Sequence, residues 1–215
     1  MTVDILARLV ARYPALESLQ ADIVGGFTLL LDCVEGGGTI LACGNGGSAA
    51  DADHIVGELL KGFQLKRSLT PAQVDEIAVH FPSEAREMAS RLQQGIPAVA
   101  LSGANAIATA VANDTSPEYV FAQQVYGLGR RGDVLIAIST SGNSGNVLAA
   151  AKVARARGLK VLALTGRKGG KLWSLADVAI RVPADVVDEI QELHLPVYHC
   201  LCSMLEQALF GAGGT

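Results

Sequence analysis

From residue 39 onward the chain alternates between short, nearly continuous apolar runs and longer segments whose apolar positions recur at helical spacing. The runs at 39–42, 96–101, 134–138, 160–165 and 178–182 predict strands. Residues 134–138, Val-Leu-Ile-Ala-Ile, have no polar alternation and suit a strand covered on both faces. Helical spacing follows each of the first four: residues 47–63, 104–111 and 116–129, 145–157, and a short turn near Leu172. Strands alternating with helices imply an α/β fold with a parallel, doubly wound sheet, and ligands in such sheets bind outside the carboxyl ends of the strands.

Two flanking regions frame this rhythm. Residues 1–38 read as an N-terminal helical arm, with Pro14 marking a break or a helix start and Gly36-Gly-Gly38 the end. Its apolar stripe, Leu16, Leu19, Ile23, Phe27 and Leu30, suits packing between subunits as well as within one. A long helix over 186–210 closes the chain. Residues 64–95 shift toward charge and read as a helical insertion. There, Thr70-Pro71-Ala72-Gln73 offers an N-cap, a proline at the first helical position and a capping-box glutamine, and Ser83 begins a second polar helix over 83–94.

Composition narrows the function classes. At 215 residues, 50% hydrophobic and with a mean hydropathy of +0.34, the chain suits a single domain, 1–215, with an ample core. A net charge of −4 without a basic cluster argues against nucleic acid as a partner. No apolar run is long enough for a bilayer and the N-terminus lacks a signal pattern, so the expectation is a cytoplasmic chain with no membrane partner. Cys33, Cys43, Cys200 and Cys202 lie in apolar segments without CxxC spacing, which predicts buried thiols.

Candidate chemistry sits at two strand ends. Gly44-Asn45-Gly46-Gly47-Ser48 joins the first strand to its helix, and Ser139-Thr140-Ser141-Gly142-Asn143-Ser144 joins the third to its own. Glycines let the backbone approach a ligand, and the N–H groups and dipole of a helix start favour a phosphate or carboxylate. Either loop alone is equally a structural turn, because Ser, Thr and Gly cap helices well. Two in one sheet, next to ionisable residues, point to a site. His54 and Glu58 stand four apart and share a helix face. In the last helix Gln191 and His199 differ by roughly 80° around the axis and can face one pocket, whereas His194 lies on the other side and reads as a core residue.

The combination GNGGSAADADH with Glu58 four residues on, then ANDT, STSGNSGNV and IQELHLPVYH, resembles the phosphoheptose isomerase (sedoheptulose 7-phosphate isomerase) branch of the sugar isomerase (SIS) domain superfamily over nearly the whole chain. The resemblance implies a three-layer αβα sandwich around a doubly wound, mostly parallel five-stranded sheet. It implies a homotetramer with active sites at subunit interfaces and a phosphorylated seven-carbon sugar as partner, converted to D-glycero-D-manno-heptose 7-phosphate. Matched position by position, Asn45, Gly46, Gly47, Ser48, Asn113, Asp114, Ser139, Thr140, Ser141 and Ser144, with Gln191, are substrate-binding residues. His54, Glu58, Gln191 and His199 match a metal set holding one zinc per subunit. Residues 64–95 make the stretch between Glu58 and Asn113 longer than in the family pattern, and Lys61-Gly62-Phe63 stands where Gly-Arg is usual.

Those residue types suit aldose–ketose interconversion. The reaction moves a proton between adjacent carbons through an enediol, which needs a base, an acid and stabilisation of an oxyanion. Glu58 is the expected base and His199 the expected acid, and zinc accepts nitrogen and oxygen ligands of this kind. The alternative is a non-catalytic SIS-domain module that binds sugar phosphate or protein, of the type associated with the replication initiator. That branch lacks the helix glutamate, which this chain keeps as Glu58.

Overall fold

The computed structural model describes residues 2–103 and 105–211. Five strands, β1 (Ile40–Cys43), β2 (Ala98–Ala100), β3 (Val134–Ile138), β4 (Lys160–Gly166) and β5 (Val178–Val182), form one sheet in the order β2-β1-β3-β4-β5, and every neighbouring pair is parallel. Successive strand residues point to opposite faces. Ile40, Ala42, Val134, Ile136 and Ile138 join the core on one side, while Leu41, Cys43, Leu135 and Ala137 join the core on the other. The first side is covered by α1 (Thr2–Arg12), α2 (Gln20–Glu35), α3 (Gly47–Leu60) and α10 (Val187–Phe210). The second is covered by α7 (Val120–Leu128), α8 (Gly145–Arg157) and α9 (Gly170–Trp173), whose Leu172 joins that core, with α6 (Asn105–Asp114) packed against α7. The expected three-layer αβα sandwich is present.

Strand order positions the site. The chain leaves β1 for α3 on one face and leaves β3 for α8 on the other, and β1 and β3 are neighbours. A crevice therefore opens between them at the carboxyl end of the sheet, the switch point where doubly wound folds bind ligands. Both polar loops border it.

Some boundaries differ from the pattern-based expectation. The run at 96–101 contributes only Ala98–Ala100 to the sheet, because Pro97 has no N–H and the Ile96 N–H bonds Leu59 O instead. The helix expected over 83–94 is shorter, α5 (Ala85–Arg91). Gln93 and Gln94 leave it to hold the incoming segment: Gln93 Oε1 accepts from Gly62 N, Gln94 N donates to Arg67 O, and Gln94 Nε2 donates to Ser68 O. The helix expected from 116 begins as a 3₁₀ turn over Pro117–Tyr119, capped by Ser116 Oγ. At α4 (Pro71–His80) the Thr70–Gln73 capping box forms in both directions.

The arm's apolar stripe packs within the subunit. Leu16, Leu19, Ile23 and Leu30 are buried inside their own chain, as is half of α10. Exposed apolar side chains include Val3 and Val24 in the arm, Val187 and Leu195 in α10, and Val99, Ile107, Tyr119, Tyr126 and Leu128 on the other elements. All four cysteines are free and buried, and burial pushes the thiols of Cys43, Cys200 and Cys202 up to about 12.

Candidate active site

The glycine-rich loop owes its shape to Gly46, whose backbone (φ 55°, ψ −122°) is closed to residues with a side chain. That turn starts α3 at Gly47, with the N–H groups of the helix start at the crevice. Across the crevice the Ser139–Ser144 loop leads into α8. Ser139 Oγ and Ser144 Oγ lie 3.0 Å apart, and Asn143 N donates to Ser141 Oγ. The loops are tied by a reciprocal amide pair, Asn45 Nδ2 to Asn146 Oδ1 at 2.9 Å and Asn146 Nδ2 to Asn45 Oδ1 at 2.8 Å.

Between them lies a cavity of about 360 Å³ lined by Asn45, Gly46, Gly47, Ser48, Ser139, Thr140, Ser144 and Gln191, together with Ile138 and Val187. Eight of the expected substrate-binding residues thus meet in one place. Ser141 is exposed and does not line the cavity. Asn113 and Asp114 do not join: they end α6 on the surface, with Asn113 Nδ2 bonded to Asp114 Oδ1.

The second cluster follows from how α3 and α10 pack. Contacts advance in step along both helices: Gly47 against Gln191, Asp51 and His54 against Tyr198, His54 against His199, and Phe63 N against Glu206. The helices therefore run side by side in the same direction. His54 Nε2 lies 3.2 Å from Glu58 Oε1 and 3.5 Å from His199 Nε2, with the two imidazoles nearly perpendicular at 4.9 Å between centroids. Lys61 Nζ reaches Glu58 Oε2 at 3.1 Å, and Phe63 stacks obliquely on His199 at 5.3 Å. Burial, and after it the neighbouring His54, lower the His199 pKa against the opposing pull of Glu58.

Gln191 is not part of this cluster. It sits eight residues before His199 along α10, about 12 Å along the axis, and leans on Gly47 in the cavity. Among the described residues no three His, Cys, Asp or Glu side chains close into a group that could hold a metal ion. The His54–Glu58–His199 cluster comes part of the way. Bonds of about 2.0–2.2 Å put the ligands of a tetrahedral zinc about 3.3–3.6 Å apart, close to the two separations from His54 Nε2.

Several residues around the site were not singled out from the sequence. Tyr198 OH lies 3.0 Å from His54 Nδ1 and 3.3 Å from Asp51 Oδ1, and Asp51 Oδ2 has no hydrogen-bond partner. Burial raises the Asp51 carboxyl above its ordinary value, and burial followed by the Asp51 charge raises the Tyr198 hydroxyl. Spacing could have found Asp51, which shares a helix face with His54 and Glu58. Nothing local marks Tyr198 or Asn146.

The exit of α3 is clamped by a buried ion pair. Arg67 Nε donates to Glu206 Oε1 at 2.8 Å, Nη1 to Leu59 O and Nη2 to Glu58 O, and Glu206 also accepts the N–H groups of Phe63, Gln64 and Leu65. Burial alone would raise the Glu206 pKa; those donors outweigh it and hold the carboxyl below its ordinary value. Removing one partner of such a pair typically costs about 3–5 kcal/mol, so the end of α3 that carries Glu58 is firmly placed. His194, assigned to the core, is fully buried, and burial drives its pKa down to about 4.

A family model described as the SIS domain matches residues 7–76 and 75–166. A phosphoheptose isomerase of Shewanella baltica is 42% identical over 199 residues, spanning 91% of this chain and 88% of that one. Among solved structures, the phosphoheptose isomerase of Neisseria gonorrhoeae superposes with a TM-score of 0.73 at 37% identity, covering 94% of both chains. That of Francisella tularensis gives 0.75 at 34% identity, covering 92% of this chain and 91% of its own.

Proposed function

The chain belongs to the phosphoheptose isomerases of the SIS-domain family and is an aldose–ketose sugar-phosphate isomerase, and we propose that it interconverts sedoheptulose 7-phosphate and D-glycero-D-manno-heptose 7-phosphate through an enediol. The observation that carries this reading is the spacing along the α3–α10 seam. Gly47 and His54 are seven residues apart, about 10 Å of helix. Three backbone bonds span about 3.6 Å, so the eight bonds from phosphorus to carbon 1 of an extended seven-carbon phosphate cover nearly the same distance. With the phosphate between the two loops, carbons 1 and 2 reach the His54–Glu58–His199 cluster.

In this reading Asn45, Gly46, Gly47, Ser48, Ser139, Thr140, Ser144 and Gln191 hold the phosphate end. Glu58 takes the proton from carbon 1 beside the carbonyl at carbon 2, and His199 gives a proton to the carbonyl oxygen. The enediol collapses when Glu58 returns its proton to carbon 2 and the carbon 1 hydroxyl gives its proton back to His199. An imidazole carries an N–H whether neutral or charged, which suits His199 to the acid role.

Zinc is part of the proposal, one ion per subunit. His54, Glu58 and His199 have donor atoms of the right kind near one another, and Gln191 completes the set only if its side chain leaves the cavity or a neighbouring subunit supplies the fourth position. The ion would polarise the carbonyl. A homotetramer with shared active sites is supported by the surface position of Asn113 and Asp114, away from their own chain's cavity, and by the exposed apolar side chains of β2, α6 and α7. No helix among the described residues is long and apolar enough to cross a membrane, which agrees with a cytoplasmic site of action. Purified protein incubated with a panel of ketose phosphates, with chelator and after zinc add-back, tests all of this. Turnover of a different ketose phosphate in preference to the seven-carbon one overturns the substrate assignment, and full activity in a protein stripped of metal removes the ion.

A further inference from the structure

Tyr198 touches His54 on the side away from the reacting cluster. Its hydroxyl lies 3.0 Å from His54 Nδ1 and 3.3 Å from Asp51 Oδ1, while His54 Nε2 faces Glu58 Oε1 at 3.2 Å and His199 Nε2 at 3.5 Å. A phenol has one proton to give and lone pairs to receive, whereas an ionised carboxylate only accepts. In the chain Asp51–Tyr198–His54 the phenolic proton therefore goes to Asp51, and the phenolic oxygen is left to accept N–H from His54 Nδ1.

We propose that Tyr198, held by Asp51, is a positioning residue that keeps neutral His54 in the Nδ1–H tautomer and presents its bare Nε2 to Glu58 and His199. This rests on the reading of His54 as a member of the active cluster. It goes beyond that reading by naming what orients the ring and which nitrogen faces the chemistry. Tyr198 is 2% exposed and sits in the packed interior of α10, so its hydroxyl is fixed in place. A consequence follows for the cluster. With Nε2 bare, His54 and Glu58 face each other acceptor to acceptor at 3.2 Å, an arrangement that a cation between them would satisfy. His199 can donate its own Nε2–H to His54. A ring tied at Nδ1 by an outer hydrogen bond is the usual state of a metal-ligating histidine, and losing that bond typically costs about 10–100-fold in metal affinity.

The chain contains four histidines, so the imidazole nitrogens of the intact protein, labelled with ¹⁵N-histidine, can be resolved by NMR and His54 assigned with His54→Gln. The spectrum is taken on metal-free protein at about pH 9, where imidazole is neutral. The wild type should show His54 protonated on Nδ1. Tyr198→Phe keeps the ring packing and should lose that preference, the proton moving to Nε2 where Glu58 accepts it. Asp51→Ala, which frees the phenolic proton to point at Nδ1, should shift the tautomer the same way. Competition for zinc against a chelator should show binding about 10-fold weaker in Tyr198→Phe. A wild-type His54 protonated on Nε2, or on both nitrogens, overturns the proposal, as does an unchanged tautomer and zinc affinity in Tyr198→Phe. The tautomer is read without turnover, so an inactive wild type would count against the isomerase reading and leave this inference intact.

Discussion

Gly47→Ala tests the cavity with a single methyl group. A Cβ at Gly47 would stand 2.6 Å from Gln191 Nε2 and 2.9 Å from both Cδ and Oε1, well inside contact distance. Every one of those atoms is at the far end of a flexible side chain, and Gly47 lies in ordinary helical backbone, so Gln191 swings away and the fold survives. What is lost is the amide's place in the cavity. A hydrogen bond to a charged group is worth about 1.5–3 kcal/mol, which corresponds to roughly 10–100-fold in affinity at about 1.4 kcal/mol per decade. The methyl also takes up room beside the phosphate. Gly57→Ala is the control on the same helix: its Cβ would meet nothing within 4 Å. There the change should leave kinetics alone and raise stability by about 0.5–1 kcal/mol through helix propensity. The assay is steady-state kinetics of both variants with the sugar phosphate, plus the inhibition constant of inorganic phosphate. For Gly47→Ala both KM and the phosphate constant should rise in the stated range. If they match wild type while circular dichroism shows a folded protein, Gln191 and the start of α3 do not bind the phosphate.

Glu58→Gln should keep fold and assembly but lose about 10²- to 10⁴-fold in kcat, the usual worth of an acid–base group; wild-type turnover would remove Glu58 as the base. Sedimentation at micromolar concentration should give a tetramer, and a monomer would sink the shared-site arrangement. His194 predicts an acid-sensitive step. Its pKa falls from 6.5 to about 4 on folding, so the stability it leaves intact above pH 6.5 is lost as pH falls toward 4. At pH 5 the loss is about 2 kcal/mol, read as the gap between wild type and His194→Leu in urea unfolding at pH 5 relative to pH 7.5; a pH-independent gap would mean the buried ring titrates normally.

The sheet was legible because its strands are nearly continuous apolar runs: 134–138 and 178–182 agree with β3 and β5 to the residue. Their order was not legible. β1 is apolar on both faces, so nothing in it marks β2 and β3 as its neighbours. The two loops were readable from composition, since glycine at 46 and hydroxyls at 139 and 144 do locally what the site needs. The pairing of Gln191 with His199 was read from helical angle alone, which is blind to distance along the axis; the fold sends one to Gly47 and the other to His54. Tyr198 stayed hidden for a related reason, because its partners Asp51 and His54 lie some 147 and 144 positions away and meet it only through helix packing. The arm's apolar stripe fitted two environments equally well, and the structure assigns Leu16, Ile23 and Leu30 to the subunit interior.

The cavity between the loops has no Lys or Arg among its lining residues, which constrains how this fold distinguishes substrates. A phosphate held without a cation depends on N–H and O–H dipoles at the starts of α3 and α8, and these are short-ranged and directional. The loops must therefore be rigid and correctly spaced, and the Asn45–Asn146 amide pair supplies that by fixing one loop against the other across the switch point. The opposite end of the seam is fixed by the buried Arg67–Glu206 pair. The two-loop cavity and the His54–Glu58–His199 cluster, the proposed phosphate cradle and acid–base group, are thus anchored at the two ends of one pair of parallel helices, whose 1.5 Å rise per residue sets their separation. A shorter sugar phosphate seated in the cradle would leave its carbonyl short of Glu58. On the proposed reading, chain-length selectivity would come from helix geometry, with no need for a side chain that closes the far end of the pocket.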